Sequence, residues 1–256
     1  MYPAQYEDVN SIIQLLLSHI KEILGEKLVG FYLDGSLVLG DFDHDISDID
    51  LLAALSSDMN DAEFEALKKM HDKFAQDQEE WEDRIEVCYI STDALASVKS
   101  KTSTITNISP GEPFHRRESN IEWIMNWYVL REKSITLFGP PAKSIVEPIS
   151  KEEFMQAIKE HVSSWRKYVD DIHKRKGQAY AILTICRALY VIKNGEQVSK
   201  KQAAKWAMNE LPEWSELIRS AVAWREAKDE SQVNHESTFP ETKKFVLFVI
   251  DLIEKQ

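Results

Sequence analysis

Two aspartates one residue apart, Asp48 and Asp50, open an apolar run with the character of a buried strand. Because side chains alternate along a strand, both carboxylates share one face and Ile49 points to the opposite, buried one. Two like charges this close repel each other unless a cation lies between them, and paired carboxylate oxygens suit Mg²⁺. The pair therefore predicts a divalent metal site at the start of this strand.

A Gly-Ser pair, Gly35-Ser36, ends the preceding apolar run, and eleven residues separate it from Asp48. Glycine has no side chain to block a close approach, so backbone N–H groups and a hydroxyl can face a phosphate at such a turn. Taken singly, Gly-Ser is most often an ordinary turn, and Asp-x-Asp is often a solvated strand end or a helix cap. The conjunction is more specific, and it favours a phosphate beside the metal.

A third acid, Glu86, lies in the strand-like segment RIEVCYI (84–90). An ionised side chain is costly there unless it faces a site or is paired, although an edge strand can carry an outward glutamate freely. Three carboxylates and a phosphate-binding turn suit metal-assisted attack on a nucleotide phosphate, in which the third acid ligates metal or takes the nucleophile's proton. The residues therefore predict nucleotidyl transfer.

The elements around these residues predict an α+β fold in two domains. Helical periodicity over 9–24 precedes the strand formers of 27–33, and residues 59–76 predict a helix between the strands at 48–55 and 84–90. Residues 100–120, which contain two prolines and a glycine, predict a long irregular connection. Beyond about residue 148 only helices are predicted, the first running from a Ser150/Glu153 capping box through about Lys174. We therefore expect a mixed-sheet domain over 1–148 and a helical bundle over 149–256.

The composition limits the partners. The 43 acidic against 31 basic residues give a net charge of −12, which argues against a nucleic-acid partner and is compatible with a cationic small molecule. No apolar run approaches the roughly 20 residues of a membrane span, and no secretory signal is visible. The two cysteines lie in apolar segments and read as buried, reduced thiols. We expect a monomer in the cytoplasm.

Residues 29–52 (VGFYLDGSLVLGDFDHDISDIDLL) resemble the signature of the polymerase-β-type nucleotidyltransferase superfamily. With RIEVCYI, with SITLFGPPA at 134–142 and with residues 180–212 (YAILTICRALYVIKNGEQVSKKQAAKWAMNELP), most of the chain resembles the aminoglycoside (aminocyclitol) O-adenylyltransferases of the streptomycin/spectinomycin type. The resemblance implies that Mg-ATP and a cationic antibiotic bind in the cleft between the two domains. AMP would be transferred to an antibiotic hydroxyl, which inactivates the drug and confers resistance.

The resemblance also implies roles for single residues. Asp48 and Asp50 would hold the metal and Glu86 would be the catalytic base, while the nucleotide would be bound by Gly35, Ser36, Ser47, Arg187 and Lys200. The residues support the last two independently. Lys200 opposes the dipole of the helix it opens unless an anion binds there, although a solvated lysine is the alternative. Arg187 lies in an apolar helix and needs an acid or a phosphate as partner.

The acceptor pocket departs from the family pattern. The family holds the drug with a tryptophan and two aspartates, and the matching positions here are Tyr168, His173 and Gly177. The nearby residues Asp170, Asp171 and Tyr180 are possible substitutes, and the candidate acceptor-binding residues are Tyr168, Asp170, Asp171 and His173. Two alternatives stay open: the same transfer to another small-molecule or protein hydroxyl, and a catalytically silent nucleotide-binding module.

Overall fold

A computed structural model describes residues 5–119, 123–227 and 234–256. The chain divides into two compact units, Met1–Ile149 and Ser150–Gln256, so the division lies one residue from the boundary expected from the sequence. None of the described helices combines the length and the apolar composition needed to cross a bilayer.

The first unit is built on a six-stranded mixed sheet, which confirms the predicted α+β class. The strands are β1 (Leu28–Leu33), β2 (Ile49–Leu55), β3 (Ile85–Ser91), β4 (Ser103–Ser109), β5 (Glu112–Ser119) and β6 (Ile135–Phe138). Their spatial order is β5-β4-β3-β2-β1-β6, in which β2 and β3 are parallel and the other neighbours antiparallel. Parallel pairing brings the first residues of β2 and β3 to the same edge of the sheet.

Helices α1 to α6 of this unit are α1 (Glu7–Leu24), α2 (Gly35–Leu39), α3 (Asp61–Asp77), α4 (Thr92–Leu95), α5 (Ile124–Lys133) and α6 (Ala142–Ile145). One face of α1, with residues spaced three and four apart, is buried; its members are Val9, Ile12, Ile13, Leu16, Leu17, Ile20 and Leu24. This face belongs to the same core as Phe31 of β1 and Ile49 of β2, both fully buried. The core therefore fixes the two strands that flank the Gly-Ser turn.

The prediction of an irregular connection over 100–120 is wrong, because β4 and β5 form a hairpin there. Gly111 adopts φ +77° at its tip, a conformation that glycine reaches without strain. Pro113 lies near the start of β5, which is the edge strand, where a missing backbone N–H costs no hydrogen bond within the sheet. The glycine and prolines therefore mark the turn of a hairpin and not the absence of strands.

The second unit contains helices α7 (Lys151–Ser164), α8 (Arg175–Asn194), α9 (Lys200–Glu210), α10 (Ser215–Glu226) and α11 (Phe239–Glu254). The capping box that opens α7 is present: the Ser150 hydroxyl accepts the Glu153 N–H at 3.2 Å, and Glu153 accepts the Ser150 N–H at 2.7 Å. Helix α8 is buried on most of its faces and packs against α9, α10 and α11.

The helix predicted to run to Lys174 ends at Ser164, and two short 3₁₀ turns follow, Trp165–Lys167 and Val169–Asp171. The Ser164 hydroxyl donates to the carbonyl of His161 at 2.7 Å and so competes with the helical hydrogen bonds at this end. The candidate acceptor residues consequently lie on an irregular segment and not on a regular helix.

Candidate active site

Three carboxylates meet where β2 and β3 begin. Asp50 and Glu86 are each the second residue of their strand and lie opposite each other in the parallel pair, and Asp48 immediately precedes β2. Each of these half-buried residues offers a carboxylate oxygen, and these oxygens lie within 4.8 Å of one another. The fully buried Ile49 points to the other face of the sheet. The structure therefore brings together the three acids singled out in the sequence.

Burial and mutual repulsion make this a site of concentrated negative potential. Burial, followed by the charges of Asp48, Glu86 and Asp34, raises the pKa of Asp50 well above its usual range. The pKa of Glu86 is also raised, first by burial and then by the Asp48 carboxylate. Because a cation bound among these oxygens would offset both the desolvation and the repulsion, the donor set fits a hard divalent ion such as Mg²⁺.

The Gly-Ser turn is packed directly against Asp50. Gly35 adopts φ +66°, and a Cβ at this position would lie 1.7 Å from Asp50 Oδ2, so no larger residue fits without moving the carboxylate. The backbone N–H of Ser36 donates a hydrogen bond to the same carboxylate. The Ser36 hydroxyl is buried and has no hydrogen-bond partner among the described residues. A buried hydroxyl in this state beside three acids points to a ligand such as a phosphate.

Ser47, the second serine assigned to the nucleotide, is almost fully buried in the loop before Asp48. Its Oγ accepts the Asp43 N–H at 3.0 Å, and its own N–H donates to the Asp43 carbonyl at 2.8 Å. The loop is therefore a closed turn, and the Ser47 hydroxyl still has its own proton to donate.

Three further polar residues adjoin the carboxylates and were not identified from the sequence. The Ser109 hydroxyl hydrogen-bonds the Glu86 carboxylate, and Asn107 Nδ2 donates to Ser109 Oγ at 2.6 Å. Recognition of β4 as a strand would have revealed this pair, because residues 107 and 109 share a face. Arg84 binds the loop that ends at Asp48, and its position directly before β3 was the available signal.

In the second unit, the two cationic candidates lie on neighbouring helices. Arg187 is half-buried on α8, and Lys200 is the first residue of α9, which Ser199 caps by accepting the Gln202 N–H at 3.1 Å. Lys200 Nζ lies 4.1 Å from the centre of the Tyr180 ring. Both cations also interact with other residues of the chain.

A cavity of about 680 Å³ lies between the 3₁₀ segment and the start of α8. Three of the four candidate acceptor residues line it, and so does Gly177, the third matching family position; the three are Tyr168, Asp171 and His173. Asp170 is not among the described lining residues, and its carboxylate pairs with Lys243.

Aromatic rings dominate this cavity. Trp165 stacks on Tyr180 with ring centres 6.0 Å apart and an interplanar angle of 16°. Tyr168 and Tyr180 are 60% and 56% exposed, an unusual degree for large hydrophobic residues. His173 is held by Glu236 at 3.2 Å and by the Phe239 ring. The arrangement offers a flat, partly apolar surface suited to a ring-shaped ligand.

Comparison with known proteins matches residues 144–251 to the family model of the aminoglycoside adenylyltransferase C-terminal domain. An aminoglycoside (3'') (9) adenylyltransferase of Klebsiella pneumoniae is 30% identical over 82 residues, which are 32% of this chain and 30% of that protein. The chain thus spans about a third of the length of the first curated relatives it matches. A spectinomycin 9-adenylyltransferase of Staphylococcus aureus is 24% identical over 265 residues, covering 96% of this chain and 95% of the relative.

The fold also resembles that of a solved structure. The crystal structure of spectinomycin adenyltransferase AAD(9) from Enterococcus faecialis, with ATP and spectinomycin, superposes with a TM-score of 0.73 at 17% identity, over 93% of this chain and 98% of that one. The resemblance to the aminoglycoside adenylyltransferases inferred from the sequence motifs is confirmed: residues 144–251 match the family model of their C-terminal domain, and the chain is similar to a spectinomycin 9-adenylyltransferase over almost its whole length.

Proposed function

We propose that this protein is a magnesium-dependent adenylyltransferase that moves AMP from ATP to a hydroxyl of an aminoglycoside or aminocyclitol antibiotic of the streptomycin or spectinomycin type. The observation that carries the proposal is the convergence of Asp48, Asp50 and Glu86 beside the buried, unpaired Ser36 hydroxyl. The similarity to adenylyltransferases over most of the chain supports the same conclusion.

Asp48 and Asp50 are the proposed metal ligands, with Glu86 within reach as a third. A bound Mg²⁺ would neutralise the triphosphate and polarise the phosphorus that is attacked. Gly35 allows the turn to approach the nucleotide, and Ser36 and Ser47 hold phosphate oxygens through their hydroxyls. For Arg187 and Lys200 we propose charge-assisted contacts to the nucleotide.

Glu86 is the proposed base. The acceptor oxygen attacks the α-phosphorus, the bond from that phosphorus to the bridging oxygen of the β-phosphate breaks, and pyrophosphate departs with the bonding electrons. The proton of the acceptor hydroxyl passes to the Glu86 carboxylate. Its raised pKa favours this role, since a base works best with a pKa near the working pH. The hydrogen bond from Ser109 orients the carboxylate.

Tyr168, Asp171 and His173 are the proposed acceptor contacts, with Tyr180 and Trp165 as a stacking surface. Asp171 supplies a carboxylate for a cationic group of the drug. Asp170 is a weaker candidate, because its carboxylate is paired with Lys243.

A second candidate function is the same transfer to a different hydroxyl. It is favoured by the presence of Lys174 as well as Asp171 in the lining of the cavity, since a lysine opposes a strongly cationic acceptor. An acceptor with fewer positive charges than streptomycin would suit this lining better.

We propose a cytoplasmic monomer without a nucleic-acid partner, supported by the net charge of −12 and by Cys88 and Cys186, both buried and free. Light scattering of the purified protein, with and without ATP, tests the monomer.

Pyrophosphate release from Mg-ATP, measured with streptomycin, spectinomycin and other aminoglycosides, tests the function. The inactive control is Asp50→Asn, and Asp45→Asn makes the same chemical change at an exposed acid of the neighbouring loop. Release that depends on one drug, is lost in Asp50→Asn and is retained in Asp45→Asn supports the proposal. ATP binding without release for any drug would contradict it and favour another acceptor or a silent binding module.

A further inference from the structure

The Arg84 side chain is bound to the backbone immediately before Asp48. Its Nη2 donates to the carbonyl oxygens of Ser47 and His44, each at 2.7 Å, and its Nε donates to the Ser47 carbonyl at 3.1 Å. The guanidinium lies 4.5 Å from the centre of the Trp81 ring, which fixes its plane. A planar fork with several donors holds two carbonyls in one fixed geometry, whereas the ammonium of a lysine is a compact donor on a flexible stem.

The Arg84 backbone holds the other side of Asp48. The carbonyl oxygen of Arg84 accepts the N–H of Ile49 at 2.9 Å. Asp48 is therefore bracketed: the residue before it is bound by the Arg84 side chain and the residue after it by the Arg84 main chain. Because Glu86 follows Arg84 by two residues, the same arginine links the position of Asp48 to the strand that carries Glu86.

The other hydrogen bonds and ion pairs of the loop described here do not join it to β3. The Asp43–Ser47 hydrogen bonds close the loop on itself, and the His44 imidazole pairs with Asp8 of α1 at 2.5 Å. These contacts anchor the loop to itself and to α1. The Arg84 side chain joins it to the start of β3, where the third carboxylate lies.

We propose that Arg84 is a positioning residue, which sets the Asp48 carboxylate at the separation from Asp50 and Glu86 that a divalent cation needs. The inference deepens the proposed adenylyl transfer and rests on it for its purpose, but metal binding to the protein tests it without any turnover. Loss of the guanidinium fork lets the Ser47 carbonyl move and loosens the metal site.

The experiment is a Mn²⁺ titration of the full chain, followed by the electron paramagnetic resonance signal of the free ion. Arg84→Lys keeps the charge but not the fork, and Arg84→Gln removes the charge. Arg131→Lys is the matched control, since Arg131 also donates to two backbone carbonyls of this unit, those of Lys143 and Val146. Asp50→Asn is the positive control, and circular dichroism establishes that each variant is folded.

We expect both Arg84 variants to weaken Mn²⁺ binding about tenfold, the usual range for loss of a residue that orients metal ligands. Arg131→Lys is expected to bind as the wild type does. In the pyrophosphate assay, the Mg²⁺ concentration for half-maximal rate rises in the Arg84 variants, whereas the KM for the acceptor stays constant.

Several results would overturn the positioning role. Wild-type Mn²⁺ affinity in Arg84→Lys would show that the positive charge alone suffices. An equal loss of Mn²⁺ affinity in Arg131→Lys would show that the loss comes from general destabilisation of the unit. Absence of Mn²⁺ binding by the wild type would also refute it. Weakened Mn²⁺ binding in the Arg84 variants would uphold the inference even if no antibiotic released pyrophosphate, a result that refutes only the proposed function.

Discussion

The carboxylate site of the first unit and the aromatic cavity of the second are built in opposite ways. At the first, each polar atom is set by the fold: Gly35 leaves room for Asp50, Ser36 binds its carboxylate, and Ser109 binds Glu86. The cavity is lined by rings of which two are more than half exposed, on a segment of short 3₁₀ turns.

The difference indicates how the two sites tolerate change. Catalysis depends on atoms held to within a few tenths of an ångström, so substitution at the carboxylates should affect rate strongly. Stacking on exposed rings depends mainly on contact area, so substitution there should affect acceptor affinity moderately.

The largest effect is expected for Asp50→Asn. Loss of one metal-ligating charge should lower pyrophosphate release at least about a thousandfold, as other preorganised electrostatic groups do when removed. The same change should raise the Tm in the presence of EDTA at pH 7.5. A carboxyl whose pKa is raised in the folded state destabilises the protein progressively as the pH rises above the unfolded value, and asparagine removes that penalty. An unchanged or lower Tm would contradict the repulsion inferred for this site.

Gly35→Ala should have the next largest effect. Gly35 and Gly40 both have positive φ, +66° and +72°, but only at Gly35 does an added Cβ meet Asp50; at Gly40 it meets nothing within 4 Å. Both alanines should cost about 1 kcal/mol of backbone strain, and Gly35→Ala alone should lower kcat, by about a hundredfold. Urea denaturation and steady-state kinetics measure the two quantities. Equal losses of kcat in the two variants would show that backbone strain, and not the contact with Asp50, causes the loss.

A smaller effect is expected in the cavity. Tyr180→Ala removes the ring that stacks on Trp165, and should raise the KM for the acceptor about tenfold while kcat changes less than threefold. Tyr190→Ala is the matched control, since Tyr190 lies on the same helix α8 and packs on Trp206. A large loss of kcat in Tyr180→Ala, or the same rise in KM for both variants, would contradict an acceptor surface at Tyr180.

The smallest effect on activity is expected at His71, a buried histidine outside the carboxylate site. Its Nε2 is 2.7 Å from the Tyr89 hydroxyl, and burial lowers its pKa to about 4. The unfolded chain therefore binds a proton below about pH 6.5 that the folded protein does not. Stability should fall between pH 6.5 and pH 5, and the contribution of His71 to that fall should be on the order of 2 kcal/mol.

His71→Gln provides the comparison, because glutamine keeps a hydrogen-bonding side chain and does not titrate. Urea denaturation of the wild type and this variant across pH 5 to 7.5 should show a shallower pH dependence in the variant, with pyrophosphate release unchanged at pH 7.5. The same pH dependence of stability in both proteins would refute the titration of His71. A loss of activity would show that the buried pair of His71 on α3 and Tyr89 on β3 also supports catalysis.

Much of the fold was predictable from local patterns. The period-two and helical patterns predicted β1 to β3, α1, α3 and the change to helices after about residue 148. The hairpin at 103–119 was not predictable from local patterns, because proline and glycine interrupt a strand inside a sheet but are tolerated at a turn and on an edge strand. The end of α7 at Ser164 was not predictable, because a serine in a helical pattern does not reveal whether its hydroxyl will bond to a backbone carbonyl of the preceding turn, as Ser164 does.

The amino-acid sequence by itself predicted a cation-binding site, because Asp48 and Asp50 stand one residue apart at the start of an apolar run and Glu86 lies within another. The Gly-Ser pair at 35–36 also indicated a close approach to a ligand, and the motifs indicated the family resemblance. Only the tertiary structure decided which atoms meet: the parallel pairing of β2 and β3 places Asp50 opposite Glu86, and the antiparallel pairing of β3 and β4 brings Ser109 near Glu86. In the second unit, the fold stacks Trp165 on Tyr180. The physical reason is that residue type sets the energy of a buried charge, whereas the distance between charges distant in sequence depends on how the strands and helices pack.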